Sequence, residues 1–313
     1  MKKQKLLVLT GPTAVGKSKL SIALAKAVGG EIISADSMQV YKYMNIGTDK
    51  ISVDKMDGVP HHLIDFLEPT EDFNVFMFQK LVKAAIEDIA SRGKVPILVG
   101  GTGFYIQAIL KDIDFTETDE DDSYRKELEK RAEDGEAHAL FMKLEEVDPE
   151  SAKIIHENNT KRVIRALEYY RKTGRKISEH NQEQKENDSP YDFRYFVLTD
   201  DRKTLYSRID ARVDKMIEDG LEEEVRKLME MNIPMTATSM QSLGYREMIG
   251  YINGEYDLER AIYLIKLNTR HFAKRQLTWF RREKDVLWLD KRDFDHDEKR
   301  ILEEMIRIYE NEQ

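Results

Sequence analysis

The stretch LVLTGPTAVGKSKL, residues 7–20, constrains this chain more than any other feature. An apolar run leads into Gly11-Pro12-Thr13-Ala14-Val15-Gly16-Lys17-Ser18 and then into a helical sequence. The glycines permit a tight turn, so that backbone N–H groups and the following helix N-terminus converge on phosphate oxygens. Lys17 adds a point charge, and the Ser18 hydroxyl is placed to meet Mg²⁺. Gly11 to Ser18 are therefore the candidate diphosphate ligands. The motif calls for a diphosphate or triphosphate but leaves the compound open: a hydrolysed nucleotide, a phosphoryl donor, or a diphosphate that leaves from something else.

The first 110 residues alternate between strand and helix. LLVLT (6–10), EIISAD (31–36) and VPILVG (95–100) read as short apolar strands, and FMFQKLVKAAIEDIASRG (76–93) has the helical period. Such alternation implies an α/β fold, a parallel sheet with helices on both faces. Functional groups should collect beyond the carboxyl ends of the strands. Three segments end there: GPTAVGKS, Asp36-Ser37-Met38-Gln39 and Gly100-Gly101-Thr102-Gly103. Residues 118–190 are charged and helical, and the polar stretch SEHNQEQKENDSP (178–190) reads as a loop. RYFVLT (194–199) then restores a strand, and VLWLD (286–290) adds a late one. We take 1–112 and 193–313 as the catalytic core and 113–192 as a helical insertion.

Cysteine is absent, which excludes disulfides, thiolate zinc sites and Cys nucleophiles and suits a reducing cytoplasm. No run approaches the length of a membrane-spanning helix, and the N-terminus lacks a signal-peptide pattern. The net charge of −9 argues against a general nucleic-acid binder, but the charge is segregated. Seven cations and no acid fall between Arg260 and Arg282, with Trp279 and Phe280 among them, while acids gather at 116–123. In TKRVIRALEYYRKT (160–173), Val163, Ala166, Leu167 and Tyr170 make an apolar face, with Lys161, Arg162 and Arg165 on or beside the polar side. Three cations in the first turns oppose the helix dipole unless an anion compensates, as nucleic-acid phosphates would.

Asp36 ends a strand at the edge of the phosphate loop. It can ligate Mg²⁺, act as a general base on an acceptor, or merely cap the next turn. Thr102 follows two glycines and can donate a hydrogen bond to a reacting group or stabilise its own turn. Arg208 and Arg212, one turn apart, can clamp a diphosphate or pair with nearby acids. His61-His62 reads as structural, since adjacent residues do not converge on one ion.

These pieces together resemble the tRNA dimethylallyltransferases (tRNA isopentenyltransferases). The resemblance runs through GPTAVGKS, SADSMQVYKYMNIGTDK, GGTGFY, TKRVIRALE, RIDARVDKMIEDGLEEEV, SLGYRE and AKRQLTWFRR, nearly the whole chain. It implies a P-loop NTPase-like core and a compact bacterial-type enzyme without the eukaryotic zinc finger; one active site complete within a chain suits a monomer. It implies that the loop, with Arg212, holds dimethylallyl diphosphate and that Mg²⁺ sits on Ser18. The acceptor would be N6 of adenine 37 in a tRNA anticodon loop. Asp36 would be the general base, Thr102 would assist at the reacting centre, and Lys17 would stabilise the negative charge growing on the diphosphate. Asp36, Ser37, Met38, Gln39, Thr102, Arg125, Lys161, Arg162, Arg165 and Arg281 would touch tRNA. The competing reading is a small-molecule or nucleotide kinase, in which the loop binds ATP and Asp36 deprotonates a hydroxyl.

Overall fold

The structure, a computed structural model, describes residues 3–115 and 123–311. Most of the acidic stretch at 116–123 lies outside the described residues. The chain opens with β1 (Gln4–Thr10), α1 (Lys17–Val28), β2 (Gly30–Ala35), the short β3 (His61–His62), α2 (Val75–Ser91), β4 (Val95–Gly100) and α3 (Gly103–Leu110). There follow α4 (Ser123–Arg131), α5 (Ala137–Val147), α6 (Pro149–Ile154), α7 (Thr160–Thr173) and α8 (Ile177–Glu186). The chain then runs through β5 (Tyr191–Thr199), α9 (Arg202–Glu218), α10 (Leu221–Glu230), α11 (Tyr245–Ile252), α12 (Leu258–Phe280), β6 (Val286–Asp290) and α13 (Glu298–Glu310).

The strands form one six-stranded sheet in the order β3-β2-β4-β1-β5-β6, with every pairing parallel. Both faces are covered, so alternate residues of one strand serve two cores. Leu6 and Val8 join Ile33, Leu98 and Val197 in a cluster with residues of α2, α3 and α10. Leu7 and Leu9 join Ile32, Ile97 and Phe196 in a second cluster with α1, α9 and α13. The register makes three strand ends level: Gly100 pairs with both Thr10 and Ala35. The segments that follow, Gly11-Pro12-Thr13, Asp36-Ser37 and Gly101-Thr102, therefore leave the sheet from one edge, beyond the carboxyl ends of its strands, where ligand crevices of open α/β sheets lie.

Gly11 shows why that edge tolerates no side chain. Its φ is 146°, and a Cβ there would stand 2.2 Å from the backbone carbonyl oxygen of Leu198 on β5. Gly11→Ala should destabilise the protein by about 1–3 kcal/mol through this overlap, read as a lower urea midpoint. An unchanged midpoint would mean the loop does not need to pack against β5.

Contacts divide the chain into two compact units, Met1–Leu110 with Pro190–Gln313, and Lys111–Ser189. The second has its own small core of Leu128, Leu140, Leu144, Val163, Ile164, Ala166 and Leu167. Two sequence expectations fail here. Residues 177–186 are helical (α8), not a loop. Polar anchoring replaces an apolar face: the buried Asp148 carboxylate accepts from Ser178 N at 3.0 Å and Ser178 Oγ at 2.6 Å, and Gln184 Oε1 accepts from Asp114 N at 2.8 Å. In α7, Ile164 rather than Tyr170 completes the apolar face, and Tyr170 is exposed.

Candidate active site

The phosphate loop passes from β1 into α1 through Gly16, whose left-handed backbone (φ 100°) makes the N-cap without a side-chain cap. The first turn of α1 carries no acid. Its first amides thus lack the usual side-chain acceptor and form a ready anion site. Lys17 folds back over the loop, its Nζ donating to Gly11 O at 3.0 Å and Pro12 O at 2.9 Å. Burial, with the nearby Arg212 guanidinium, pushes the ammonium down to about 7, against the opposing influence of Asp36 and Asp49. Ala14 and Val15 are buried and line the loop's underside, while Ser18 is exposed.

Thr13 is committed on both its groups. Its N–H donates to Gln276 Oε1 at 2.9 Å, and its hydroxyl accepts from Arg212 Nη1 at 3.0 Å. Gln276, on α12, also donates from Nε2 to Gly101 O at 2.9 Å and is almost fully buried. One amide thereby ties the phosphate loop to the Gly101-Thr102 turn. A Cβ at Gly101 would stand 2.2 Å from Nε2. Sequence reasoning missed Gln276, although it sits within the quoted AKRQLTW segment.

Asp36 uses one oxygen for structure. Oδ1 accepts from Met38 N at 2.8 Å and Gln39 N at 3.2 Å, an Asx-type turn, while Oδ2 has no hydrogen-bond partner among the described residues. Capping and chemistry are therefore compatible in this carboxylate. Met38 packs against the core, and the Gln39 amide donates to Thr48 O at 3.1 Å. Ser37 is half-buried. Thr102 O accepts from Tyr105 N at 3.0 Å and Ile106 N at 3.2 Å, which starts α3 and leaves its hydroxyl free of protein partners among the described residues.

The two arginines of α9 part company. Arg212 reaches the phosphate loop and pairs with Asp49 at 3.1 Å. Arg208 instead pairs at 2.7 Å with the fully buried Asp200. Asp49 belongs to a loop held by Glu224, whose carboxylate accepts from the backbone N–H groups of Asn45, Ile46 and Gly47 and from Tyr245 OH at 2.6 Å. No sequence signal marked Glu224 as an anchor; only its position in RIDARVDKMIEDGLEEEV hinted at a role.

The basic segment on α12 is partly spent internally: Arg270 pairs with Asp210 at 2.8 Å, and Lys266 pairs with Asp214. Among the described residues Lys274, Arg281 and Arg282 have no ion-pair partner. The two aromatics interleaved with these cations, Trp279 and Phe280, pack inward. Phe280 is fully buried, and Trp279 packs against Gly103, where a Cβ would lie 2.2 Å from its ring. In the second unit Arg125 pairs with the buried Glu168 at 2.7 Å, while Lys161, Arg162 and Arg165 are exposed. His62 pairs with Glu31 at 2.7 Å, and the His61 ring lies 2.8 Å from Val59 O, so the two rings turn to separate partners.

A family model described as IPP transferase matches residues 39–283. The chain belongs to the IPP transferase family. It is 58% identical over 305 residues to a tRNA dimethylallyltransferase of Lachnoclostridium phytofermentans, covering 97% of each chain. It is 52% identical over 291 residues to a tRNA dimethylallyltransferase of Bacillus cytotoxicus, covering 93% and 92%. Among solved structures it resembles a full-length tRNA isopentenylpyrophosphate transferase from Bacillus halodurans, with TM-score 0.73, 45% identity and coverage of 97% and 96%. It also resembles a eukaryotic dimethylallyltransferase acting on tRNA, with TM-score 0.80, 34% identity and coverage of 92% and 74%. These family members share the P-loop NTPase-like α/β fold expected from the sequence.

Proposed function

We propose that this protein transfers the dimethylallyl group from dimethylallyl diphosphate to N6 of adenine 37 in tRNA anticodon loops and releases diphosphate. The observation that carries the reading is the pairing of an uncapped anion site at α1 with the spare Oδ2 of Asp36 at the same sheet edge. A kinase would use the loop for ATP, but the family relationship favours prenyl transfer.

An exocyclic amine is a weak nucleophile, so the prenyl C1–O bond must loosen as the N6–C1 bond forms. Negative charge then grows on the departing diphosphate. The free amides of Gly16 to Ser18, together with Lys17 and Arg212, stabilise that charge where water is partly excluded. Asp36 Oδ2 accepts the N6 proton, and the Thr102 hydroxyl hydrogen-bonds at the reacting centre. Gly11 to Val15 shape the rest of the cradle.

The residues suit Mg²⁺. The Ser18 hydroxyl and a carboxylate oxygen are hard donors, and no cluster of three or more His, Cys, Asp or Glu forms a protein cage among the described residues. That fits an ion held largely by phosphates. Ser18 would hold it, and it would supply further charge neutralisation at the diphosphate.

The adenine must leave its stack at a cost of a few kcal/mol, which contacts from Ser37, Met38 and Gln39 help offset. Lys161, Arg162, Arg165 and Arg281 would meet tRNA phosphates, and Arg125 would contribute only if it can leave Glu168. Lys17, Asp36, Thr102 and Arg212 come from one chain, which supports a monomer. Among the described residues no helix is long and apolar enough to cross a membrane, and a tRNA substrate suits the cytoplasm.

Incubation with Mg²⁺, radiolabelled dimethylallyl diphosphate and an unmodified anticodon stem-loop carrying A36-A37-A38 should put label into the RNA and release diphosphate. No label in several such RNAs, with ATP turnover instead, would favour the kinase.

A further inference from the structure

A carboxylate stands beside the arginine that the proposed reaction needs for its diphosphate. Asp49 Oδ2 lies 3.1 Å from Arg212 Nη1, and the same Nη1 donates to Thr13 Oγ1 at 3.0 Å. One nitrogen of Arg212 thus serves both the phosphate loop, by a hydrogen bond, and Asp49, by an ion pair. Asp49 also acts on Lys17, whose ammonium its charge favours. A fixed negative charge inside an anion site opposes the anion.

The position of Asp49 is set by its loop. Its backbone is left-handed (φ 51°), its N–H donates to Ile46 O at 3.0 Å, and its carbonyl accepts from Gln39 Nε2 at 3.4 Å. The three amides before Thr48 rest on Glu224, and Gly47 lies against the fully buried Tyr245, where a Cβ would come within 2.4 Å of the ring. The chain thus over-determines where this carboxylate sits.

Given the diphosphate reading above, on which it rests, we infer that Asp49 competes with the diphosphate for Arg212 and so weakens the site's hold on substrate and product alike. A loose hold on diphosphate favours turnover, because binding the leaving group equally well before and after reaction does not speed the chemical step. The Asp49 side chain is 55% exposed, so solvent screens the effect and keeps it moderate.

The test is calorimetric titration of inorganic diphosphate into the wild-type protein and Asp49→Asn. Asparagine keeps the shape and tolerates the left-handed backbone, so the loop is preserved. The variant should bind diphosphate about three- to tenfold more tightly, with the gain shrinking between about 50 mM and about 300 mM salt. The gain should appear with and without Mg²⁺, and it should largely vanish in an Arg212→Ala background. A purely structural role would lower the thermal midpoint without tightening binding. Unchanged or weaker binding overturns the inference, and weakening confined to the Mg²⁺ arm would assign Asp49 to the metal instead. If the wild type binds no diphosphate at all, the functional reading falls and this inference falls with it. A wild type that binds while Asp49→Asn gains nothing refutes the inference alone.

Discussion

Asp36→Asn is expected to lower kcat for prenyl transfer about 10²- to 10⁴-fold, the range lost with a general base. The two oxygens have separate duties. Oδ1 accepts from Met38 N and Gln39 N, and an asparagine keeps an acceptor there, so the turn and the position of Gln39 survive. Oδ2 becomes an amide nitrogen, which cannot take a proton from N6. Asp36→Ala removes the cap as well and should add about 0.5–2 kcal/mol of instability. Comparing the two variants separates chemistry from structure. Single-turnover rates with saturating stem-loop RNA, alongside thermal midpoints, make the measurement. If Asp36→Asn retains most of its kcat, the carboxylate is a cap and the base lies elsewhere. If both variants lose rate and stability together, capping accounts for the loss.

Much of this site was legible in the sequence because its determinants are local. The octet from Gly11 to Ser18, the strand-ending Asp36 and the Gly-Gly-Thr turn each carry their geometry within a few residues, and parallel register then brings them to one edge. What escaped depends on partners far along the chain. Gln276 bonds Thr13 across 263 residues and Gly101 across 175, and Glu224 reaches Asn45 across 179. No spacing rule announces such contacts. Arg208 and Arg212 share a helix face, yet the neighbours covering successive turns of α9 differ, so one meets Asp200 and the other Thr13. Helical period tells which residues share a face and nothing about what covers each turn. The same limit explains Trp279 and Phe280, which lie among the cations of a basic stretch yet pack inward, Phe280 fully buried and Trp279 against Gly103. It explains α8 as well, a helix stabilised by hydrogen bonds to Asp148 and Asp114 and carrying no buried residue.

Lys17 should make diphosphate binding depend on pH, and the sign follows from its depressed titration. In the free protein the ammonium titrates at about 7 rather than at its ordinary 10.5. Below that value Lys17 is already charged, and binding costs no proton uptake. Above it the amine is neutral, and an incoming diphosphate must recruit a proton, so affinity falls up to about tenfold per pH unit. The ligand's own deprotonation makes it more anionic at high pH and would strengthen binding, so weakening between about pH 6 and about pH 9 has the opposite sign and points to the protein. Calorimetry in buffers of different ionisation enthalpy should show uptake approaching one proton on the alkaline side. Lys17→Met should cut kcat/KM by about 10³-fold, as loss of a preorganised charge at a developing anion does, and should erase the proton uptake. Folding carries the same linkage. Because the unfolded chain holds the Lys17 proton between about 7 and 10.5 and the folded chain does not, this lysine makes stability rise with pH across that window. Proton uptake that persists in Lys17→Met would move the titrating group elsewhere in the site, and a binding curve flat through neutrality would mean that the bound and free proteins hold this lysine equally charged.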